Sequence, residues 1–135
     1  MNQKKTATVQ KLYAAFQRGD LPTLLSHMSD DIDWGIDAQS PTAVPWYGIG
    51  TGKDFAAGFF KNLAKECQFT RFEPTAFLES DTGVACLVSY DAIINKNGRR
   101  VSQNVVHHFT FKGDDQVVRW RAWEDTARTL AAWNA

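Results

Sequence analysis

The sequence predicts an α+β domain, in which helices cover a long antiparallel meander that curls around an interior space. Three observations predict this class. In the first half, apolar residues recur at steps of three and four: Val9, Leu12, Tyr13 and Phe16, then Phe55, Phe59, Phe60 and Leu63. From Cys67 onward the period changes to two, and turn signals divide the chain into four long runs. Strands that long must curl in a small domain, and a curled sheet under helices encloses a concave space. At 135 residues the chain is expected to form one domain over 1–135.

Taken in order, the Val9 stripe gives a first helix that ends at Gly19, with Arg18 in its last turn. Asp20 caps a short second helix, with Pro22 just inside it and Leu24, Leu25 and Met28 on its apolar face. Ser29, Asp30 and Asp31 break that helix, and Ile32 to Asp37 reads as a short strand. Residues 38–50, with Pro41, Pro45, Gly48 and Gly50, read as an irregular loop. Its Trp46 and Tyr47 are expected to fold over a core edge or a cavity mouth. Thr51 or Gly52 opens a third helix. Four strands follow, at Gln68–Glu79, Val84–Asn95, Arg99–Lys112 and Val117–Asp125, with Pro74 marking a bulge or an edge. Thr126–Trp133 reads as a terminal helix. There is no internal repeat and no low-complexity segment.

Composition narrows the function classes. Hydrophobic residues make up 44 % and charged residues 22 %, the balance of a folded globular chain. Fifteen basic against fifteen acidic residues give zero net charge, which argues against nucleic-acid and anionic-membrane binding. Cys67 and Cys86 are too few for a disulfide framework and lack metal-ligand spacing, so neither a metal nor a cofactor is expected. No apolar run approaches the roughly 18 residues of a membrane span, and Met1 to Lys5 lead straight into a helix with no signal core. The expected setting is a reducing cytoplasm. Aromatics at 13 % suggest a bulky core or an aromatic-lined cavity. The glycines of Gly48 to Lys53 lack the spacing of a phosphate loop.

The strongest hairpin signal, Asn97-Gly98, places Lys96 opposite Arg99 if the loop has two residues. Tyr90 then faces Val105, Val88 faces His107 and Cys86 faces Phe109. The even positions Val84 to Ile94 are all apolar or aromatic, so that face is the buried one. If Lys112 pairs with Val117, His107 lies opposite Ala122, with Trp120 and Glu124 as diagonal neighbours. A one-residue slip would bring Arg119, Arg121 and Trp123 inward instead. The preferred register puts Gln103, His107 and Glu124 on an otherwise apolar face, where His and carboxylate can tune each other for proton transfer.

Several segments carry a family resemblance: Leu12 to Asp20, Asp30 to Trp34, Gly48 to Phe60, His107 to Phe111 and Arg119 to Thr126. In this order and spacing, the chain from Val9 to Trp133 resembles the SnoaL-like branch of the nuclear transport factor 2-like superfamily, which includes ketosteroid isomerases and polyketide cyclases. The resemblance implies a cone of helices closed over a strongly curved sheet, an apolar pocket, and dimers formed through the outer sheet face. By position Tyr13 matches the isomerase's oxyanion Tyr, and His107 its second donor, where the isomerase has Asp. The isomerase's base falls near Ile36 or Asp37, so Asp37 is adjacent to the matching position. The Asp-Arg-Asp set of epoxide-hydrolase relatives has no clear counterpart here.

The expectation is a cofactor-independent isomerase or cyclase, with a hydrolase as the other enzyme class, acting on a small apolar or aromatic carbonyl compound. His107, Tyr13, Asp37 and Glu124 are the candidate catalytic residues. Trp34, Trp46, Phe59, Val88, Tyr90, Gln103, Val105, Phe109 and Trp120 are the candidate ligand contacts. The alternative is a non-catalytic module that binds a ligand or dimerises. Glu124 could instead pair with Arg119 or Arg121, and His108 should face outward.

Overall fold

The computed structural model describes residues 3–38 and 43–135. The elements are α1 (Lys4–Gln17), α2 (Leu21–Ser26), β1 (Met28–Ile36), β2 (Gly48–Thr51), α3 (Lys53–Glu66), β3 (Cys67–Glu79), β4 (Gly83–Ile94), β5 (Arg100–Lys112), β6 (Gln116–Trp123) and α4 (Thr126–Trp133). The class is α+β, with the N-terminal helices covering one face of a six-stranded sheet ordered β2-β1-β6-β5-β4-β3. Pro41, read as part of the loop after β1, lies outside the described residues.

Capping fixes where the helices start and stop. The Asp20 carboxylate accepts from the Thr23 backbone N–H at 3.1 Å and opens α2. Gly19, at φ +70, makes the turn between α1 and α2. Glu79, from the far end of β3, accepts from the Thr6 N–H and hydroxyl at 2.8 Å each, satisfying a free donor of α1's first turn. Asp125 accepts from the Arg128 N–H at 3.0 Å and opens α4.

Two expectations near β1 are corrected. Met28 belongs to β1 and not to α2, and Ser29 to Asp31 lie inside the strand instead of breaking a helix. Local propensity lost to pairing, because Met28 sits in register with Val117 of β6 and the Val117 N–H bonds the His27 carbonyl at 2.7 Å. The pairing of β1 with β6 is parallel, whereas every other pairing is antiparallel. The loop also contains a strand, β2, which pairs Gly48 with Ile36. Its glycines read as turn signals, but the glycine that allows the close approach is Gly35 on β1. A Cβ on Gly35 would stand 2.0 Å from the Gly48 carbonyl oxygen.

The hairpin register is also corrected. Tyr90 pairs with Gln103, Val88 with Val105 and Cys86 with His107, two residues from the register of a two-residue loop. The connection is a four-residue turn, Asn95 to Gly98, with Gly98 at φ +71. Asn97 is diverted from the tight turn to hold α4, its side-chain amide donating to the Ala132 carbonyl at 2.8 Å. A shift of two preserves which face each residue occupies, so the even positions of β4 are buried as read.

Between β5 and β6, Lys112 pairs with Gln116, not Val117, but a register shift after Thr110 restores His107 opposite Ala122. Pro74 sits on the edge strand, beside a register shift between Pro74 and Ala76. Such shifts kink and twist long strands. The curled inner face holds the core, in which Val84, Cys86 and Ile94 are fully buried.

Candidate functional site

Between the helices and the curled sheet lies a cavity of about 80 Å³. Its walls are mostly carbon. In the β1–β6 register Trp34 lies beside Trp120, and their rings stack at 4.4 Å and 19°. Phe59 from α3 meets Trp120 at 5.4 Å, and Trp46 closes another side against Trp133 at 5.8 Å. Tyr90 and Phe109 complete the wall from β4 and β5. Of the other candidate contacts, Val88 and Val105 are buried in the core and Gln103 is buried behind Glu124, and none of the three lines the cavity.

Two polar groups interrupt the apolar lining. The first is His107, carried inward on β5. Its Nδ1 lies 2.9 Å from the Tyr13 hydroxyl on α1. The Cys86 thiol lies against the same hydroxyl from the paired position on β4. The His107 Nε2 has no hydrogen-bond partner among the described residues and is not one of their sealed, unpartnered atoms, so it keeps access to the cavity. Burial lowers the His107 pKa from 6.5 to about 3, and the imidazole is neutral. Burial also pushes the Tyr13 hydroxyl well above its usual range and the Cys86 thiol up to about 11.

The second group is Glu124, just past the end of β6. Its Oε2 accepts from the Tyr47 hydroxyl, from Thr129 Oγ1 at 3.2 Å and from Gln103 Nε2 at 3.4 Å. Gln103 is held in turn by the Tyr90 hydroxyl at 2.6 Å and by the Asp125 N–H at 2.9 Å. All three bonds fall on one oxygen, and among the described residues Oε1 makes none. Burial raises the Glu124 pKa, and the Tyr47, Thr129 and Gln103 bonds moderate the rise.

Tyr13, His107 and Glu124 therefore line one cavity, but they do not form one cluster. Glu124 stands two residues beyond Ala122, the residue facing His107. That is one pleat repeat, about 7 Å of strand. Asp37 is exposed, one residue past the end of β1, and is not among the lining residues. Glu124 does not pair with arginine. Arg121 and Arg119 both reach Asp33, at 2.7 and 3.5 Å. His108 points away from the cavity and packs against Trp123 at 6.3 Å.

Sequence reasoning missed Tyr47 and Thr129 as partners of Glu124, and Phe60, Phe69 and Phe72 as walls. Tyr47 had a signal, an aromatic stranded in a loop next to Trp46. Thr129 had none beyond its place on α4. No group of three or more metal-ligating side chains occurs among the described residues. No helix there is long and apolar enough to cross a membrane.

The buried imidazole makes a pH prediction. The unfolded chain takes up a proton near pH 6.5, which the folded chain refuses until about pH 3. This group's contribution therefore falls as the pH drops through 6.5. Glu124, with its folded pKa raised, acts in the opposite sense and favours the folded state at lower pH. Comparing wild type with His107→Leu isolates the imidazole. Between pH 7 and 5, wild type is expected to lose up to about 2 kcal/mol relative to the variant, read from urea midpoints. Parallel pH curves for the two proteins would refute the neutral imidazole.

A family model described as SnoaL-like domain matches residues 9–120. An NTF2-like protein of unknown function from Burkholderia pseudomallei K96243 superposes with a TM-score of 0.86 at 26 % identity, covering 100 % of both chains. An NTF2-like protein from Burkholderia xenovorans LB400 gives 0.85 at 23 % identity, covering 98 % of this chain and 97 % of that one. TerC, co-crystallised with polyporic acid, gives 0.80 at 19 % identity, covering 98 % and 99 %. Among curated proteins nothing matches this chain.

Proposed function

Because the chain belongs to the SnoaL-like family, we propose that it binds a small, largely apolar carbonyl compound in its cavity and moves a proton on it, as a cofactor-independent isomerase or cyclase. One observation carries this reading. Two polar atoms without a hydrogen-bond partner among the described residues, His107 Nε2 and Glu124 Oε1, belong to residues that line an otherwise apolar cavity. Buried polar groups are normally paired, so two left open at one cavity mark where a ligand's oxygen and a mobile proton would sit.

The chemistry follows from the two groups. With the Tyr13 hydroxyl donating to Nδ1, the imidazole proton rests on Nε2 and can donate to a carbonyl oxygen. In the proposed step the ligand's α C–H bond breaks. The proton goes to Glu124 Oε1 and the electron pair to the carbonyl oxygen, held by Nε2–H. Return of the proton from Oε1 to another carbon completes an isomerisation, while attack by the enolate carbon on a second carbonyl closes a ring. A carboxyl whose pKa is raised by burial is a stronger base once ionised, which suits a weak carbon acid. Asp37 has no part in this scheme, and Tyr13 serves as a positioning residue for His107. That TerC was crystallised with polyporic acid supports a small-molecule ligand for this fold.

The test uses 2-naphthol, a flat phenol that mimics an enol. Its binding is expected to quench the Trp34–Trp120 pair. Replacing His107 with Phe is expected to weaken binding by about tenfold, the worth of one buried hydrogen bond. Equal affinity in the two proteins would remove His107 as the oxygen's donor. A second reading, binding without turnover, is favoured by the three bonds that immobilise Glu124 Oε2. It predicts naphthol binding without proton exchange on a bound ketone.

The same reading makes the protein a cytoplasmic homodimer. Two free, buried cysteines suit a reducing compartment. For the dimer, Leu87, Val106 and Trp123 form a cross-strand row on the outer sheet face. Leu87 is 41 % and Trp123 56 % exposed. Trp123→Glu is expected to halve the mass seen by sedimentation equilibrium. A monomeric wild type would refute the dimer.

A further inference from the structure

Resting on the reading of the cavity as a ligand site, we propose that the cleft between α1, α3 and β3 is its entrance and that Phe16 is the gate. The cleft measures about 620 Å³ and lies against the cavity. The two hollows share six wall residues: Phe16, Leu24, Phe60, Leu63, Phe69 and Phe72. Exposure points to the same place independently. Every apolar wall of the cavity is buried except Phe16, Phe60, Phe69 and Phe72, which are half-buried. Among the described residues, the apolar walls that keep partial exposure are therefore those the cavity shares with the cleft.

Phe16 stands at the centre of that partition. Its ring lies 5.2 Å from Phe72, 5.5 Å from Phe69 and 6.1 Å from Phe60. Its neighbours on both sides can give. Phe16 is on the last turn of α1, three residues before the positive-φ Gly19. Phe69 and Phe72 sit on β3, the edge strand, across a register shift between Phe69 and Arg71. Edge strands and helix ends open at lower cost than a core strand. The partition is made of benzyl rings, and Arg71 at the cleft is held by Asp91 at 2.9 Å. Lys61 lines the outer cleft but not the cavity, so a charged molecule would lose its solvation among the rings of the partition, and the passage favours flat, uncharged compounds.

Trp34 gives a readout that needs no ligand. Its indole N–H is buried at the cavity wall and makes no hydrogen bond. Its exchange with deuterated water therefore waits only on water reaching it. Ala64 is exposed on α3 and lines the cleft but not the cavity. Ala64→Trp is expected to slow exchange of the Trp34 indole by about tenfold, and Phe16→Ala to speed it by about tenfold more than exchange of the Val88 core amide, which reports global opening. Unchanged Trp34 exchange in Ala64→Trp would overturn the entrance. Equal acceleration of Trp34 and Val88 in Phe16→Ala would overturn the gate. Failure of wild type to bind 2-naphthol, with the exchange pattern intact, would remove the ligand reading and leave the gate standing.

Discussion

Glu124→Gln is expected to abolish deuterium exchange at the α-carbon of 2-indanone, a small flat ketone, while 2-naphthol still binds. General acid–base groups contribute roughly 10²- to 10⁴-fold, and the loss is expected within that range. Gln keeps the shape and can still meet Tyr47, Thr129 and Gln103, but it cannot hold the transferred proton. The exchange rate is read by proton NMR in deuterated buffer. A Gln variant that exchanges the ketone as fast as wild type would remove Glu124 from the chemistry. Tyr47→Phe supplies a second readout that a merely structural role would not move. The Tyr47 bond lowers the Glu124 pKa. Its loss is expected to shift the pH midpoint of exchange upward without abolishing it.

The second large effect is on stability. Gly35→Ala is expected to cost about 3 kcal/mol or more, among the most severe single changes available to this chain. Gly35 sits at φ +148, and its added Cβ would lie 2.0 Å from the backbone oxygen of Gly48. Backbone cannot step aside as a flexible side chain can, so β1 and β2 must separate. Their separation would also loosen the chain leading into Trp34, whose ring forms half of the stacked pair. The measurement is a urea unfolding midpoint, with Gly19→Ala as a comparison. Gly19 has positive φ but open space around it, and it should cost less. Equal costs would mean that strain at φ, not the close approach, sets the penalty.

Most of the architecture was legible because strong local signals agreed with the final packing. Alternation along Val84 to Ile94 fixed the buried face of β4, and no error in turn length that moved pairs by two could reverse it. Asp20 marked a helix start by its capping chemistry. What stayed hidden was tertiary. The Asn97 side chain reads as a tight-turn residue until α4 is placed beside it. Met28 reads as the end of a helix until β6 offers it a partner. Gly48 and Gly50 read as loop until β1 offers them a pairing partner.

The candidate site was legible in part, for the same reason. Placing His107 and Glu124 on the buried face needed only parity and one pairing, and that pairing of His107 with Ala122 is present. Tyr13 came from family position, and its hydroxyl lies against the imidazole. Asp37, read as a candidate catalytic residue, is exposed one step past the end of β1 and does not line the cavity. Tyr47 and Thr129 meet Glu124 only through the loop after β1 and the return of α4. Neither contact leaves a periodic trace in the sequence.

The account stands on a neutral imidazole offering a proton to a guest. Nitrogen-15 NMR of labelled histidine, with and without saturating 2-naphthol at pH 6, tests this directly. The expected result is a neutral His107 ring with its proton on Nε2, and an Nε2 resonance that moves when the phenol binds. A charged ring at pH 6, or an Nε2 resonance indifferent to bound phenol, would contradict it.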